Sequence, residues 1–282
     1  MDLVIQAPAI AAANVAAIAS AASAQGIQVL AGASNQAFRL QRSEPSQALG
    51  DLCAASGVDM AFVPSDLTRE RVRVVAMDMD STLITIECVD EIADLVGIKP
   101  EIAAITASAM RGEIEFGESL TRRVALLSGL PESALERIYA ERLELSRGAE
   151  RMLAGFKSVG AKTLLVSGGF TFFTERLRAR LGLDETHANV LEIAGGKLTG
   201  RLEPPIVDAA AKAALVVSMR ERHAADGGLV IAIGDGANDL PMMSAADISI
   251  AYHAKPLVRE QATYAIDRCG LDALLNLFPL RQ

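Results

Sequence analysis

The sequence predicts an α/β protein: a doubly wound, Rossmann-like parallel sheet with a helical cap inserted into it, preceded by a small α+β ferredoxin-like domain. Three observations predict this. Short, continuous apolar runs rich in β-branched residues recur from residue 74 onward, as strands covered on both faces require. Helix-period segments separate them, the pattern of parallel strands joined by crossovers. Three of the runs end in small or acidic residues: Asp78 and Asp80, then Ser167-Gly168-Gly169, then Gly234-Asp235-Gly236. Ligands of such sheets bind outside the carboxyl ends of the strands, so three polar strand ends on one edge describe a site.

Leu3–Gln6 reads as a strand and Ala9–Ala24 as a helix. Ile27–Leu30 and Ala37–Leu40 read as strands joined by the turn-rich Gly32-Ala33-Ser34-Asn35. Pro45–Ser56 reads as a helix with Pro45 at its first position and Ser43 or Glu44 as its cap. Met60–Val63 reads as a last short strand, closed by Pro64-Ser65. This βαββαβ order predicts a ferredoxin-like unit over residues 1–68.

The charged segment Asp66–Arg73 reads as a linker into the second unit, residues 69–282. Its strands are Val74–Met77, Thr163–Ser167, Leu229–Ile233, Ile248–Ala251 and a weaker Tyr264–Ile266. Residues 86–148 interrupt it with a helical pattern. Val89, Ile92, Ala93 and Val96 follow i, i+3, i+4, i+7, and Gly97 ends the run. Phe116, Leu120, Arg123 and Leu127 form a second stripe, and Pro131 opens a third helix over Pro131–Leu145. A helical insertion behind the first strand reads as a lid over the strand ends. Asn189–Ile193 and Leu198–Leu202 read as a hairpin turning at Gly195-Gly196.

At 282 residues, 51% of them hydrophobic, the chain can bury cores for two domains. A net charge of −8 argues against nucleic acid and against anionic membrane surfaces as partners. Phosphorylated small molecules remain allowed, because one cation and one lysine reverse the field locally. The Ala-rich stretch Pro8–Ala24 has only Asp2 as a charge before it, so it lacks the positive flank of a signal peptide. Asn14, Ser20 and Ser23 interrupt it as a membrane span. A soluble, cytoplasmic protein is expected. Cys53, Cys88 and Cys269 form no CxxC pair and read as buried free thiols.

A strand places alternate side chains on one face, so Asp78 and Asp80 crowd together if the strand continues. Crowded carboxylates at a buried strand end repel unless a cation sits between them. Such a carboxylate can also act as a nucleophile. The competing reading is an Asp-rich turn with Ser81 and Thr82 capping the next helix. Gly234 and Gly236 satisfy the first half of a GxGxxG loop, but Asp239 occupies the third glycine's place, where a carboxylate repels pyrophosphate. Lys212 alone reads as the solvated face of a helix, and His187, His223 and His253 fit no metal spacing.

These stretches resemble the haloacid dehalogenase (HAD) superfamily. Asp78-Met79-Asp80-Ser81-Thr82 is similar to its first motif, DxDx[TS]; Ser167 to its second; Lys212 to its third; and Gly234-Asp235-Gly236-Ala237-Asn238-Asp239 to its fourth. More closely, DMDSTLITIECVDEIA, SAMRGEIEFGESLTRRVALL, VSGGF and IGDGANDLPMM resemble the phosphoserine phosphatases, over nearly all of residues 74–270. The N-terminal part resembles ACT-type modules by element order alone. The resemblance implies Asp78 as the nucleophile, forming an aspartyl-phosphate, with Asp80 protonating the leaving oxygen and then activating water. It implies Mg²⁺ held by Asp78, the backbone carbonyl of Asp80, and Asp235, with Asp239 close by. It implies Ser167, Gly168 and Lys212 on the phosphoryl oxygens, with Asn238 orienting this cluster or touching the phosphoryl group.

In the cap, the resemblance implies Glu87 against a substrate ammonium and Arg123 against a substrate carboxylate. Met110 and Phe116 match an apolar pocket wall, and both also suit an ordinary core. Arg123 has a second reading, its stem packed on apolar surface and its head in water. The implied activity is hydrolysis of phosphoserine, the last step of serine biosynthesis. The alternatives are transfer of the phosphoryl group to another alcohol such as homoserine, and action on another small phosphomonoester. A different class, an amino-acid-sensing module with an inert body, is disfavoured by the intact Asp78, Asp80, Lys212 and Asp239. Homodimerisation is left open.

Overall fold

A computed structural model describes residues 1–31 and 34–280. The N-terminal unit runs β1 (Asp2–Ala7), α1 (Ala12–Ala21), β2 (Gly26–Leu30), β3 (Gln36–Gln41), α2 (Gln47–Ala55) and β4 (Asp59–Val63). Its sheet is antiparallel throughout, in the order β2-β3-β1-β4, which is the expected ferredoxin-like arrangement. Leu3, Ile5 and Leu40 point to one face and pack with Val15, Ile18 and Leu49 of the two helices. Helix α2 starts two residues later than Pro45 suggested, because Ser46 takes the cap and its side chain accepts from the Leu49 N–H. Half of the predicted turn at 32–35 lies outside the described residues.

The second unit opens with β5 (Val72–Met77). Four cap helices follow: α3 (Cys88–Val96), α4 (Lys99–Met110), α5 (Phe116–Ala125) and α6 (Ser133–Glu141). The chain then returns through α7 (Ala149–Lys157), β6 (Lys162–Phe170), α8 (Thr171–Leu181) and the hairpin β7 (Glu185–Ala194) and β8 (Lys197–Glu203). It ends with α9 (Ala209–His223), β9 (Leu229–Gly234), α10 (Leu240–Ser244), β10 (Ile248–Tyr252), α11 (Pro256–Gln261), β11 (Tyr264–Ile266) and α12 (Leu274–Leu277). The sheet order is β11-β10-β9-β5-β6-β7-β8, parallel except for β8. On β5, Val75 and Met77 enter one core layer while Val74 and Ala76 meet Val216 and Met219 of α9 on the other. The chain crosses from one side of β5 to the other before β9, so the β5/β9 crevice is the topological switch point.

Two cap features differ from expectation. Helix α4 was not named by the sequence pattern, since its alanine-rich face leaves only Ile102 buried. Pro131 does not open a helix. Leu198 accepts from the Gly129 N–H and donates to Leu130, and Gly196 accepts from the Glu132 N–H, so the hairpin bridges this stretch and the helix starts only at Ser133.

The structure brings the second strand end to the site through a bulge. Val166 pairs with His187 and Phe170 with Asn189, so three residues of β6 (Ser167, Gly168 and Gly169) stand opposite one of β7. Asn189, fully buried, clamps this bulge. Its Nδ2 donates to the Gly168 carbonyl at 2.8 Å, and its Oδ1 accepts from the Val207 N–H at 2.8 Å.

The N-terminal sheet is fastened to the C-terminal tail by buried polar contacts. Asp59 at the start of β4 accepts from the N–H groups of Asp267 (2.9 Å), Arg268 (3.0 Å) and Cys269 (3.1 Å) just past β11. Asn276 of α12 donates to Gln6 at 2.8 Å, and Arg39 reaches the Asn276 carbonyl at 3.3 Å.

Asp59→Ala leaves three N–H groups without their acceptor, so urea unfolding should show a loss of roughly 2–3 kcal/mol. An unchanged unfolding midpoint would contradict the clasp. Asn189→Ala leaves the Gly168 carbonyl and the Val207 N–H unpaired, and a loss of about 1–3 kcal/mol is expected. The same variant should lose turnover by a larger factor than Asp59→Ala, because only Asn189 holds a strand end of the site.

Candidate active site

The site lies where β5, β6 and β9 end. The Asp78 N–H donates to Ile233 at 3.0 Å, extending the β5/β9 pairing by one residue. The chain then leaves the strand direction. Asp80 is extended (φ −63°, ψ 137°) and Ser81 is left-handed (φ 54°), a conformation that costs energy in a non-glycine residue. Asp80 therefore reaches the site through a turn rather than by strand alternation. The Cys88 N–H at the start of α3 holds it there, donating to Asp80 Oδ1 at 3.2 Å.

Carboxylate oxygens of Asp78, Asp235 and Asp239 lie within 4.8 Å of one another. The Lys212 ammonium, buried on the first turn of α9, sits 2.8 Å from Asp78 Oδ1 and 2.9 Å from Asp239 Oδ1. Asp239 is fully buried, and its Oδ2 accepts from the N–H groups of Asp235 (3.2 Å) and Gly236 (3.1 Å). That closeness demands glycine at 234, where a Cβ would stand 2.5 Å from Asp239 Oδ2. Thr82 donates to Asp235 Oδ1 at 3.2 Å, and Asn238 donates to Asp239 Oδ1 at 3.3 Å.

The electrostatics record a shortage of positive charge. Burial, then the neighbouring Asp239, push the Asp78 carboxyl well above its ordinary range. Burial, Asp239 and Glu87 push Asp235 up to about 6. Burial and Glu87 push Asp80 up to about 7. Burial works against the Lys212 ammonium, yet Asp78 and Asp239 outweigh it and hold it above the usual lysine range. Asp78 and Asp239 thus share one ammonium, and Asp235 beside them has none in contact among the described residues. An all-oxygen donor set with excess negative charge fits a hard divalent cation. The Cys88 thiol is pushed well up by burial and by Asp80, so it is not a reactive thiolate.

Above this cluster the cap encloses a cavity of about 610 Å³. Asp78, Asp80, Ser167, Gly168, Asp235 and Asn238 line its floor, and Glu87, Met110, Phe116 and Arg123 its cap side. Lys212 and Asp239 lie buried directly beneath, so the structure brings every residue singled out in the sequence to one place. Phe116 packs on Gly168, where a Cβ would stand 3.0 Å from its ring. Met110 is 71% exposed and sits at the rim, so it is not an ordinary core residue. Arg123 turns inward: burial pulls its guanidinium down while Asp90, Glu87 and Asp80 face it. Ser81 donates to Glu87 Oε1 at 2.7 Å.

A larger cleft of about 770 Å³ lies between the N-terminal sheet and residues 65–71, but its charged groups are the Arg39–Asp2 pair (3.3 Å) and its neighbours, and the metal-ligating cluster of Asp78, Asp235 and Asp239 lies outside it. Sequence reasoning missed Asn189, Asp90 and Lys255, and gave Thr82 only a helix-capping role, whereas it bonds Asp235. Asp90 and Lys255 line the cavity. Thr82 carries a signal in its place within the first motif, whereas the other three are single polar residues in otherwise ordinary segments.

Residues 75–244 match the haloacid dehalogenase-like hydrolase family. A phosphoserine phosphatase of Polaromonas sp. is 52% identical over 78% of this chain and 96% of its own length. The crystal structure of a probable phosphoserine phosphatase from Vibrio cholerae superposes with a TM-score of 0.84 at 33% identity, covering 98% of this chain and 85% of that one. A phospho-aspartyl intermediate analogue of phosphoserine phosphatase superposes with a TM-score of 0.67 at 34% identity, covering 74% of this chain and 99% of that one. With the motifs assembled at one strand edge and relatives of this identity and coverage, the chain belongs to the haloacid dehalogenase-like hydrolases, in their phosphoserine phosphatase group.

Proposed function

We propose that the protein hydrolyses O-phospho-L-serine to L-serine and phosphate through a phosphoenzyme on Asp78. The observation that carries this reading is the junction of two half-sites. One is an Asp78–Lys212–Asp239–Asp235 cluster fit for phosphoryl transfer, and the other a cap wall offering Glu87 and Arg123. A carboxylate and a guanidinium beside one cavity suit the ammonium and carboxylate of an amino acid.

Asp78 accepts from the Met79 N–H (2.7 Å) and from Lys212 (2.8 Å), both through Oδ1, which leaves Oδ2 to attack phosphorus. Lys212, the Ser167 hydroxyl and the Gly168 N–H stabilise the equatorial oxygens of the transferring group. Asp80, with its carboxyl pushed up to about 7, can give a proton to the departing serine oxygen near neutral pH. It then takes one from the water that attacks the phospho-aspartate. Asn238 steadies Asp239 and faces the cavity. Asp78, Asp235 and Asp239, with the backbone carbonyl of Asp80, would hold Mg²⁺, which supplies Lewis-acid charge for the phosphoryl oxygens. The oxygen-only donor set supports Mg²⁺ over softer metals.

We read residues 1–68 as an ACT-like domain with a regulatory or interface role, 69–282 as the phosphatase core and 86–148 as its cap. What supports the first boundary is the chain between β4 and β5, where one sheet stops and the other starts. Exposed Ile27 and Val29 on the edge strand β2 support a homodimer. A small-molecule substrate and no nucleic-acid partner accord with the net charge of −8, and three buried free thiols support a cytoplasmic location; no described helix is long and apolar enough to cross a membrane.

Asp78→Asn should abolish phosphoserine turnover by about 10⁴-fold or more, and EDTA should do so reversibly in wild type. Wild-type turnover by that variant would remove the mechanism. Arg123→Ala should lower kcat/KM for phosphoserine by roughly 10²-fold while changing p-nitrophenyl phosphate turnover by less than about threefold. Equal losses on both substrates would show that Arg123 does not read the carboxylate.

A further inference from the structure

Five carboxylates (Asp78, Asp80, Glu87, Asp90 and Asp235) line the cavity, against two cations, Arg123 and Lys255. A phosphomonoester is itself an anion, so its approach to this mouth is opposed unless a cation offsets the field. Arg123 stands on the cap side, among Asp90, Glu87 and Asp80. Lys255 lines the same cavity from the body, just past the end of β10 and next to Asp235.

Its backbone is pinned at both ends. The Lys255 N–H donates to the Asp235 carbonyl at 3.1 Å, and its own carbonyl accepts from Val258 (3.0 Å) and Arg259 (3.1 Å) in the first turn of α11. The residue is exposed, and among the described residues its ammonium forms no ion pair or hydrogen bond. It nevertheless lies within electrostatic reach of Asp235, whose carboxyl it pulls down against burial, Asp239 and Glu87. A charged side chain anchored by its backbone beside a phosphoryl-transfer centre, yet bound to no carboxylate, is left available for an incoming anion.

We infer that Lys255 is a substrate-positioning residue: its ammonium draws the phosphate end of the substrate into the cavity over Asp235, opposite the Arg123 end. It makes no covalent contribution and leaves the chemical step to Asp78 and Asp80. The inference rests on the proposed phosphatase reading.

The test uses the full-length enzyme with Mg²⁺ and the variants Lys255→Gln, Lys255→Glu and Lys255→Arg. kcat and kcat/KM are measured on phosphoserine and on p-nitrophenyl phosphate at ionic strengths of about 20 mM and about 300 mM, across which the Debye length shrinks several-fold. Lys255→Gln should lower kcat/KM on both substrates by about fivefold at low salt, Lys255→Glu by more, and Lys255→Arg by less than about twofold. The deficit should narrow at high salt and stay confined to kcat/KM. Losses in kcat of equal size at both salts, or no loss at low salt, would overturn the inference, the first by showing that residue 255 only props the Asp235 loop. Calorimetric titration of inorganic phosphate into the same Mg²⁺-loaded variants repeats the comparison without turnover. Failure of the wild type on phosphoserine would refute the substrate reading alone, and the phosphate titration would still judge Lys255.

Discussion

One buried ammonium organises the centre of this molecule. Lys212 lies between Asp78 and Asp239 at hydrogen-bond distance from each, with all three nearly inaccessible to water. Each acidic group would be costly there alone, and removing one member of such a set strands the others at a cost of several kcal/mol. The surrounding architecture keeps the set together. The pairing of β5 with β9 places Asp78 beside the Asp235–Asp239 turn, and α9 packs across that pairing so that its first turn delivers Lys212. Even with the ammonium in place, Asp78 and Asp235 are held above their ordinary ranges. That residual imbalance is the physical reason the cluster suits a divalent cation.

The cap roofs the strand-end cluster and supplies one wall of its cavity. Its first helix begins directly against Asp80 through the Cys88 N–H, so the cap and the turn after β5 share one anchoring point. Phe116 closes on Gly168 from the other side. Between these contacts lies the cavity of about 610 Å³, with Glu87, Asp90 and Arg123 on its cap side.

Much of this was legible in the sequence, and the reasons differ by residue. Asp78, Ser167 and Asp235 stand at the ends of β-branched runs, where a parallel sheet must put its ligands. Lys212 was legible only by its order between the other motifs, since a lone lysine on a helix carries no sign of being buried. The crowding of Asp78 and Asp80 was foreseen for the wrong geometric reason: strand alternation ends at Met77, and a left-handed Ser81 brings Asp80 round instead. Asn189 and Lys255 were illegible because their work depends on partners 18 to 21 and 20 positions away, which only the folded sheet brings near. The misplaced start at Pro131 has the same origin, a tertiary contact with Gly196 and Leu198 overriding a local helix signal.

The clasp at Asp59 makes the two sheets less separable than the linker between them suggests. Its carboxylate satisfies amides that belong to the body, while Gln6 and Arg39 engage the tail at Asn276. Excision of the leading segment would therefore strip the carboxy-terminal tail of its cover and expose backbone that has no other acceptor. A shortened version of this chain would need compensating polar or apolar replacements around residues 267–278 before its catalytic half could stand by itself.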